Sequence, residues 1–353
     1  MADIFVIWTT SLVLAAGALA WMLWLILARL FRERAEVSRM RDRRLIQQVY
    51  LDIMNGSDDA VVRLRGLRGR AALMAEALLE VIGMVRGRER DRLISALKAA
   101  TIDELFREQL FRGRAAERIA AAEALSIFAG DETTIALRRA LTVAPSGELR
   151  VSLMRALLDV GTPPPIGLVL KDLKGRKATE SLLYLPLIRA LVAADPMSGL
   201  HAFGDEAVSP DARAILAEAL GASGDFRALE PLLMAGRAPD VELRIAALRG
   251  LTVLGHPAAE PCVMQGLSDD VWMIRAAACE AAGRIGLRMA AHRLAELLGD
   301  PTWWVRFRAG EALAAMGVAG VEQLRTVAVA GDELSRRTAS MALAERGLVV
   351  EAA

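Results

Sequence analysis

Asp300-Pro-Thr-Trp-Trp-Val-Arg306-Phe-Arg-Ala-Gly-Glu-Ala-Leu-Ala-Ala-Met-Gly317 is one rung of a ladder that runs through the second half of this 353-residue chain. Arginine recurs at 213, 244, 275, 306 and 336, and a glycine stands eleven residues after each, at 224, 255, 286, 317 and 347. A fixed period of this kind marks a stack of one repeated supersecondary unit, each copy burying its apolar face on the next. Every rung opens on residues that satisfy the free amides of a helix start: Ser209-Pro, Asp240, Asp269-Asp, Asp300-Pro and Asp332. Alanine fills the helix that follows, as in Ala276-Ala-Ala-Cys-Glu-Ala-Ala, so neighbouring helices approach closely, and glycine then ends it. Shorter helical stretches at 228–235, 258–267 and 290–299 lie between, giving two helices per unit.

Composition agrees with an all-α chain. Hydrophobic residues make up 54% but aromatics only 5%, so Ala and Leu carry the apolar mass, which favours helix over sheet. A net charge of +1 gives no global electrostatic case for nucleic acid. The charge is uneven, however. Residues 29–44 hold seven arginines against Glu33, Glu36 and Asp42, and 63–92 hold eight against four acids. Cys262 and Cys279 sit among apolar neighbours and read as reduced buried thiols. The three histidines are scattered, and no His/Cys/Asp/Glu set has metal-ligand spacing. No phosphate-cradling glycine loop and no nucleophile–base set is present. The chain is therefore expected to carry no catalytic, cofactor-binding or metal-ligating residues.

Residues 4–28 contain no charged side chain and are long enough as a helix to cross a bilayer. Trp8 at one end and Trp21 and Trp24 toward the other suit its two interfaces. A cleaved signal peptide is disfavoured: Met1-Ala-Asp3 has no basic residue, and the apolar run continues eight residues past the small-x-small site Ala18-Leu-Ala20. The cluster Arg29, Arg32, Arg34, Arg39, Arg41, Arg43 and Arg44 then places the N-terminus outside and the C-terminal part in the cytoplasm, and sets the arginines against anionic lipid. The helix is expected to continue to residue 55, with an apolar stripe of Leu30, Val37, Met40, Leu45, Val49 and Ile53, until Gly56-Ser-Asp-Asp59 breaks it.

The rung pattern Asp-Pro-x-x-x-Val-Arg-x-x-Ala-x-x-Ala-Leu-x-x-x-Gly resembles HEAT repeats, in the short variant also found in phycobilisome lyases. The resemblance covers 208–348 and extends back through Glu148-Leu-Arg150 to Gly161 and Glu117-Arg118 to Gly130. It fails near 181, where the arginine is missing, Pro186 falls inside the helix and Thr162-Pro-Pro-Pro165 precedes it; a kink or altered curvature is expected there. The resemblance implies a right-handed α-solenoid of helix pairs, and the uncharged run 4–28 is expected to precede it as a single transmembrane helix. The expected parts are 1–28 as anchor, 29–56 as basic amphipathic helix, 57–112 as irregular helical cap and 113–353 as solenoid. In such units the ladder arginine pairs with the acid of an adjacent turn.

Trp272 and Trp303 are 31 residues apart, so they occupy equivalent places in adjacent repeats. With Trp304, Phe307, Arg275 and Arg306 they form the candidate partner-binding patch, since Trp and Arg dominate interface hot spots. Packing over the seam between repeats is the structural alternative. The leading expectation is a non-enzymatic adaptor in the inner (plasma) membrane, single-pass, whose cytoplasmic solenoid binds a membrane or membrane-recruited protein. Bacterial proteins of this layout look like accessory subunits of envelope assemblies, for instance beside enzymes of polysaccharide synthesis; self-association also fits. A bilin-lyase-like enzyme subunit and a HEAT-like nucleic-acid-binding protein are the alternatives the resemblance brings with it.

Overall fold

A computed structural model describes the backbone of residues 2–57, 59–174 and 178–347. No strand occurs among them. The chain divides into two compact units, 1–162 and 163–353. The division falls at Thr162-Pro-Pro-Pro165, inside the segment expected to be one continuous solenoid. Three consecutive prolines remove three amide donors and hold the backbone extended, so no helix runs through them.

The first unit opens with α1 (Ala2–Met54), a single helix of 53 residues and about 80 Å. It packs against α2 (Asp59–Gly66), α3 (Ala71–Ile82) and α4 (Arg88–Ala99). Then come α5 (Ile102–Arg112), α6 (Ala115–Leu125), α7 (Asp131–Thr142) and α8 (Gly147–Asp159). Among the described side chains of α1, full burial begins at Ile46. Ile46, Val49, Tyr50, Ile53 and Met54 are buried at helical spacing, and the Tyr50 hydroxyl donates to the Met74 carbonyl at 2.9 Å. Burial drives the Tyr50 phenol well above its ordinary pKa.

The stripe expected on this helix divides between surface and core. Val37, Met40 and Leu45 are exposed, while Val49 and Ile53 are core; the side chain of Leu30 lies outside the described residues. The arginines also find protein partners: Arg39 meets Glu76 at 3.4 Å, and Arg43 pairs with Glu80, both acids on α3. The span expected at 4–28 lies mostly outside the described side chains, Trp8, Ala18 and Ala20 included, as does Arg32. Among the described residues no helix is long and apolar enough to cross a membrane. Trp21 to Leu27 are described, and all seven side chains are exposed.

The second unit contains α9 (Ile166–Leu173), α10 (Ala178–Ala194), α11 (Pro196–Gly204) and α12 (Pro210–Ala222). It continues with α13 (Leu229–Ala235), α14 (Val241–Leu254), α15 (Glu260–Gly266) and α16 (Trp272–Ile285). It ends with α17 (Ala291–Glu296), α18 (Trp303–Ala315), α19 (Val318–Ala330) and α20 (Glu333–Glu345). Helices α12, α14, α16, α18 and α20 pack one on the next as a layer, and α13, α15, α17 and α19 back onto them. Helix α10 continues through Pro186 as a 17-residue helix.

The ladder residues explain the stacking. Gly255 and Gly286 end α14 and α16 at φ +70° and +78°, a conformation that side-chain-bearing residues rarely adopt. Arg275 binds backward and forward at once. The Arg275 Nη1 donates to the carbonyls of Asp269 and Asp270 at 2.8 and 2.9 Å. Its Nε and Nη2 donate to the two carboxylate oxygens of Asp300 in the next repeat at 2.8 and 3.1 Å. Arg244 repeats the forward bond to Asp269 at 2.5 Å. Arg213, Arg150 and Arg118 keep the backward bond, to the carbonyls of Asp205, Leu141 and Leu110. Arg306 likewise holds the carbonyls of Asp300 and Pro301, and Gly331 stands where a forward acid would be.

Small residues set the spacing of the layer. A Cβ on Gly221 would lie 2.3 Å from the Gly250 Cα and from its carbonyl oxygen, so α12 and α14 touch backbone to backbone. Gly221→Ala must push the two helices apart, and a loss of about 1–3 kcal/mol is expected in urea unfolding. Arg275→Ala strands Asp300, which is 7% exposed, and should cost about 3–5 kcal/mol. Arg306→Ala removes only bonds to carbonyls and should cost roughly 1 kcal/mol. Equal midpoint shifts for the two arginine variants would refute the clamp.

Candidate interaction face on the second helices

Because the period is 31 residues, positions outside the ladder also line up. The sets 211, 242, 273, 304; then 218, 249, 280, 311; then 222, 253, 284, 315 each recur at that interval. Within α16, Met273, Ala277, Glu280 and Arg284 follow at i, i+4, i+7 and i+11 and so share one helix face. The layer α12–α14–α16–α18–α20 presents this face along its length.

On it lies a cleft of about 280 Å³ lined by Ile245, Trp272, Met273, Ala276, Ala277 and Trp304 together with the charged Glu242, Arg249, Glu280 and Arg308. Trp272 is 39% exposed, Met273 38% and Trp304 50%, a high exposure for apolar side chains this large. Two further clefts, of about 310 and 200 Å³, share Glu280 with the first and extend it toward the C-terminal ends of the helices. An ion-pair seam crosses them. Glu218 accepts from Arg189 and Arg249 at 3.1 and 3.0 Å. Arg308 meets Glu280 at 3.7 Å and Glu311 at 2.9 Å. These pairs are partly exposed, so each is worth about 0–1 kcal/mol and their main effect is on charge pattern.

The six patch residues expected from sequence separate into two groups. Trp272 and Trp303 hold equivalent helix starts, as their spacing requires, but Trp304 is the one that lines a common cleft with Trp272. Trp303 stacks on Phe307, with ring centres 5.2 Å apart and planes 12° apart, and meets Trp304 edge-on at 4.7 Å. The reason is phase: the second tryptophan of the pair, at the position of Met273, points along the exposed row. Arg275 and Arg306 are engaged in the repeat clamp just described. Of the cationic cluster on α1, Arg34, Arg41 and Arg44 are exposed alongside the paired Arg39 and Arg43; Arg29 is exposed and holds an interaction of its own.

Sequence reasoning missed Met273, Arg249, Glu280, Arg284 and Arg308. Their signal was the same period read at other registers, hidden because the rows are chemically mixed. No group of three or more His, Cys, Asp or Glu among the described residues could hold a metal ion. The two cysteines are free and buried, and burial raises both thiol pKa values, most strongly at Cys279. Neither should react with a thiol reagent at pH 8 until the chain is unfolded; prompt reaction of either in the folded protein would contradict this burial.

Residues 229–314 match the family described as HEAT repeats. No curated protein sequence matches the chain. Among solved structures, the complex of CpcE and CpcF of phycocyanin lyase from Nostoc sp. PCC7120 is similar at 19% identity and a TM-score of 0.32, over 68% of this chain and 75% of that one. Kap121p bound to RanGTP is similar at 11% identity and a TM-score of 0.50, over 86% of this chain and 43% of that one. At such identities the likeness concerns the fold: an all-helical, solenoid-like HEAT architecture.

Proposed function

We propose that this protein is a membrane-anchored, cytoplasm-facing docking scaffold that binds a membrane or membrane-recruited protein and catalyses no reaction itself. The observation that carries the reading is the exposed Trp272–Met273–Trp304 cleft, lined also by Glu242, Arg249, Glu280 and Arg308 on a layer of stacked helices. An aromatic centre surrounded by polar residues is the anatomy of a protein-binding hot spot, and Trp anchors give large contact area at low entropy cost. A stacked-repeat fold supports it, because each helix pair adds surface without altering its neighbours.

The anchor rests on residues 4–28, which carry no charge, and on Trp21 to Leu27, whose side chains are exposed. The arginine-rich segment that follows supports a cytoplasmic C-terminus at the inner membrane. Tethering would raise the local concentration of the docking face toward a membrane partner by orders of magnitude. An accessory role in an envelope assembly, such as one for polysaccharide synthesis, fits this layout by analogy.

The test places a photo-crosslinking residue at Met273 in the full chain and irradiates intact membranes. One adduct is expected, reduced at least tenfold by Trp272→Ala/Trp304→Ala with helical content unchanged. Removal of residues 1–28 should release the chain from carbonate-washed membranes. An adduct indifferent to the tryptophans, or a truncated chain that stays with the membrane, would overturn the respective half of the reading.

A further inference from the structure

The three linked clefts on the second helices differ in charge from one end to the other. The cleft at Trp272 and Trp304 holds Glu242, Arg249, Glu280 and Arg308, two of each sign. The two clefts beyond it bring in Arg189, Arg249, Arg284, Arg308 and Arg346 against Glu218, Glu280 and Glu311. Those three acids already accept from Arg189, Arg249 and Arg308. Arg284 and Arg346 remain, both exposed, and among the described residues neither makes an ion pair. The face therefore runs from an apolar cleft to two uncommitted guanidiniums.

We propose that this face binds a peptide segment carrying a bulky apolar residue followed by acidic residues: the apolar side chain enters the Trp272–Met273–Trp304 cleft and the carboxylates pair with Arg284 and Arg346. The assignment rests on the docking reading above and adds the chemistry of the partner. Spacing narrows it further. Met273 and Arg284 are eleven residues apart on α16, about 16 Å along the axis. An extended peptide covers that length in about five residues. A polyanion is the wrong ligand, because Glu218, Glu242, Glu280 and Glu311 line the same surface and repel a uniform line of phosphates. An arginine fork prefers the planar carboxylate, which it can hold bidentately.

The experiment measures anisotropy of two fluorescein-labelled peptides on the full chain in mild detergent. One is Leu-Leu-Ser-Gly-Ser-Gly-Glu-Glu; in the other Lys-Lys replaces the terminal Glu-Glu. The acidic probe should bind at least tenfold more tightly, and the preference should fade as salt rises from about 0.05 to about 0.5 M. Arg284→Glu/Arg346→Glu should abolish or invert it, and Trp272→Ala/Trp304→Ala should weaken both probes alike. The comparison of probes on the unaltered chain needs no variant to fold. Equal affinity, preference for the basic probe, absence of binding up to about 1 mM, or tighter binding of a DNA duplex would each overturn the proposal. If the Met273 crosslink still depends on the tryptophans in that event, the docking reading stands and only the peptide chemistry is wrong. If the crosslink is lost as well, both fall.

Discussion

One carboxylate organises the repeat-to-repeat junction. Asp300 accepts from its own helix start, at the amide of Thr302, and from the Arg275 guanidinium of the preceding repeat. Its carbonyl in turn accepts from Arg306. A single turn therefore closes one helix, ties it to the previous repeat and receives its own repeat's arginine. A buried acid of this kind is stable only while every partner is in place, so it fixes the phase of one helix against the next more sharply than apolar packing alone. Where Asp269 stands in the equivalent turn, the same bonds recur to Val271 and Arg244.

Fixed phase is what turns a repeated sequence into a continuous surface. Once α14, α16 and α18 keep one rotation relative to each other, residues 31 apart fall into rows whether or not they are alike. Alanine and glycine at the contacts, Gly221 against Gly250 and Gly283 against Ala312, keep the rows close enough for side chains to bridge them. The Glu218–Arg249 and Glu280–Arg308 contacts are products of that spacing. The clefts between them exist because the contact positions hold small residues while the exposed positions hold Trp, Met, Arg and Glu.

The stacking was legible because its determinants are invariant along the chain: an arginine, a cap and a glycine at one interval. The face was much less legible. Its rows are mixed in type, and a search for identical residues passes over Glu218, Arg249, Glu280 and Glu311. The tryptophans were visible, but their spacing favoured Trp303 as the neighbour of Trp272, whereas the direction of each side chain from its helix brings in Trp304. On α1 the sequence displayed the charges of Arg39 and Arg43 but not Glu76 and Glu80, each 37 residues further on. The stripe through Val37, Met40, Leu45, Val49 and Ile53 was visible as well, but not that its last two members meet the core while the first three stay exposed.

α1 has one more property. From residue 18 to residue 54 it contains no glycine or proline, and among its described side chains full burial begins at Ile46. A helix without a hinge behaves as a shaft. Its two ends are geared together, and each residue advances the gear by about 100° and 1.5 Å. The heading of the first unit about the shaft axis is thus counted off by the number of residues between Leu27 and Ile46. One inserted residue turns that unit by more than a quarter of a revolution. Seven return it to nearly the same heading while carrying it about 10 Å further along. The length of this segment is an angular setting as much as a distance.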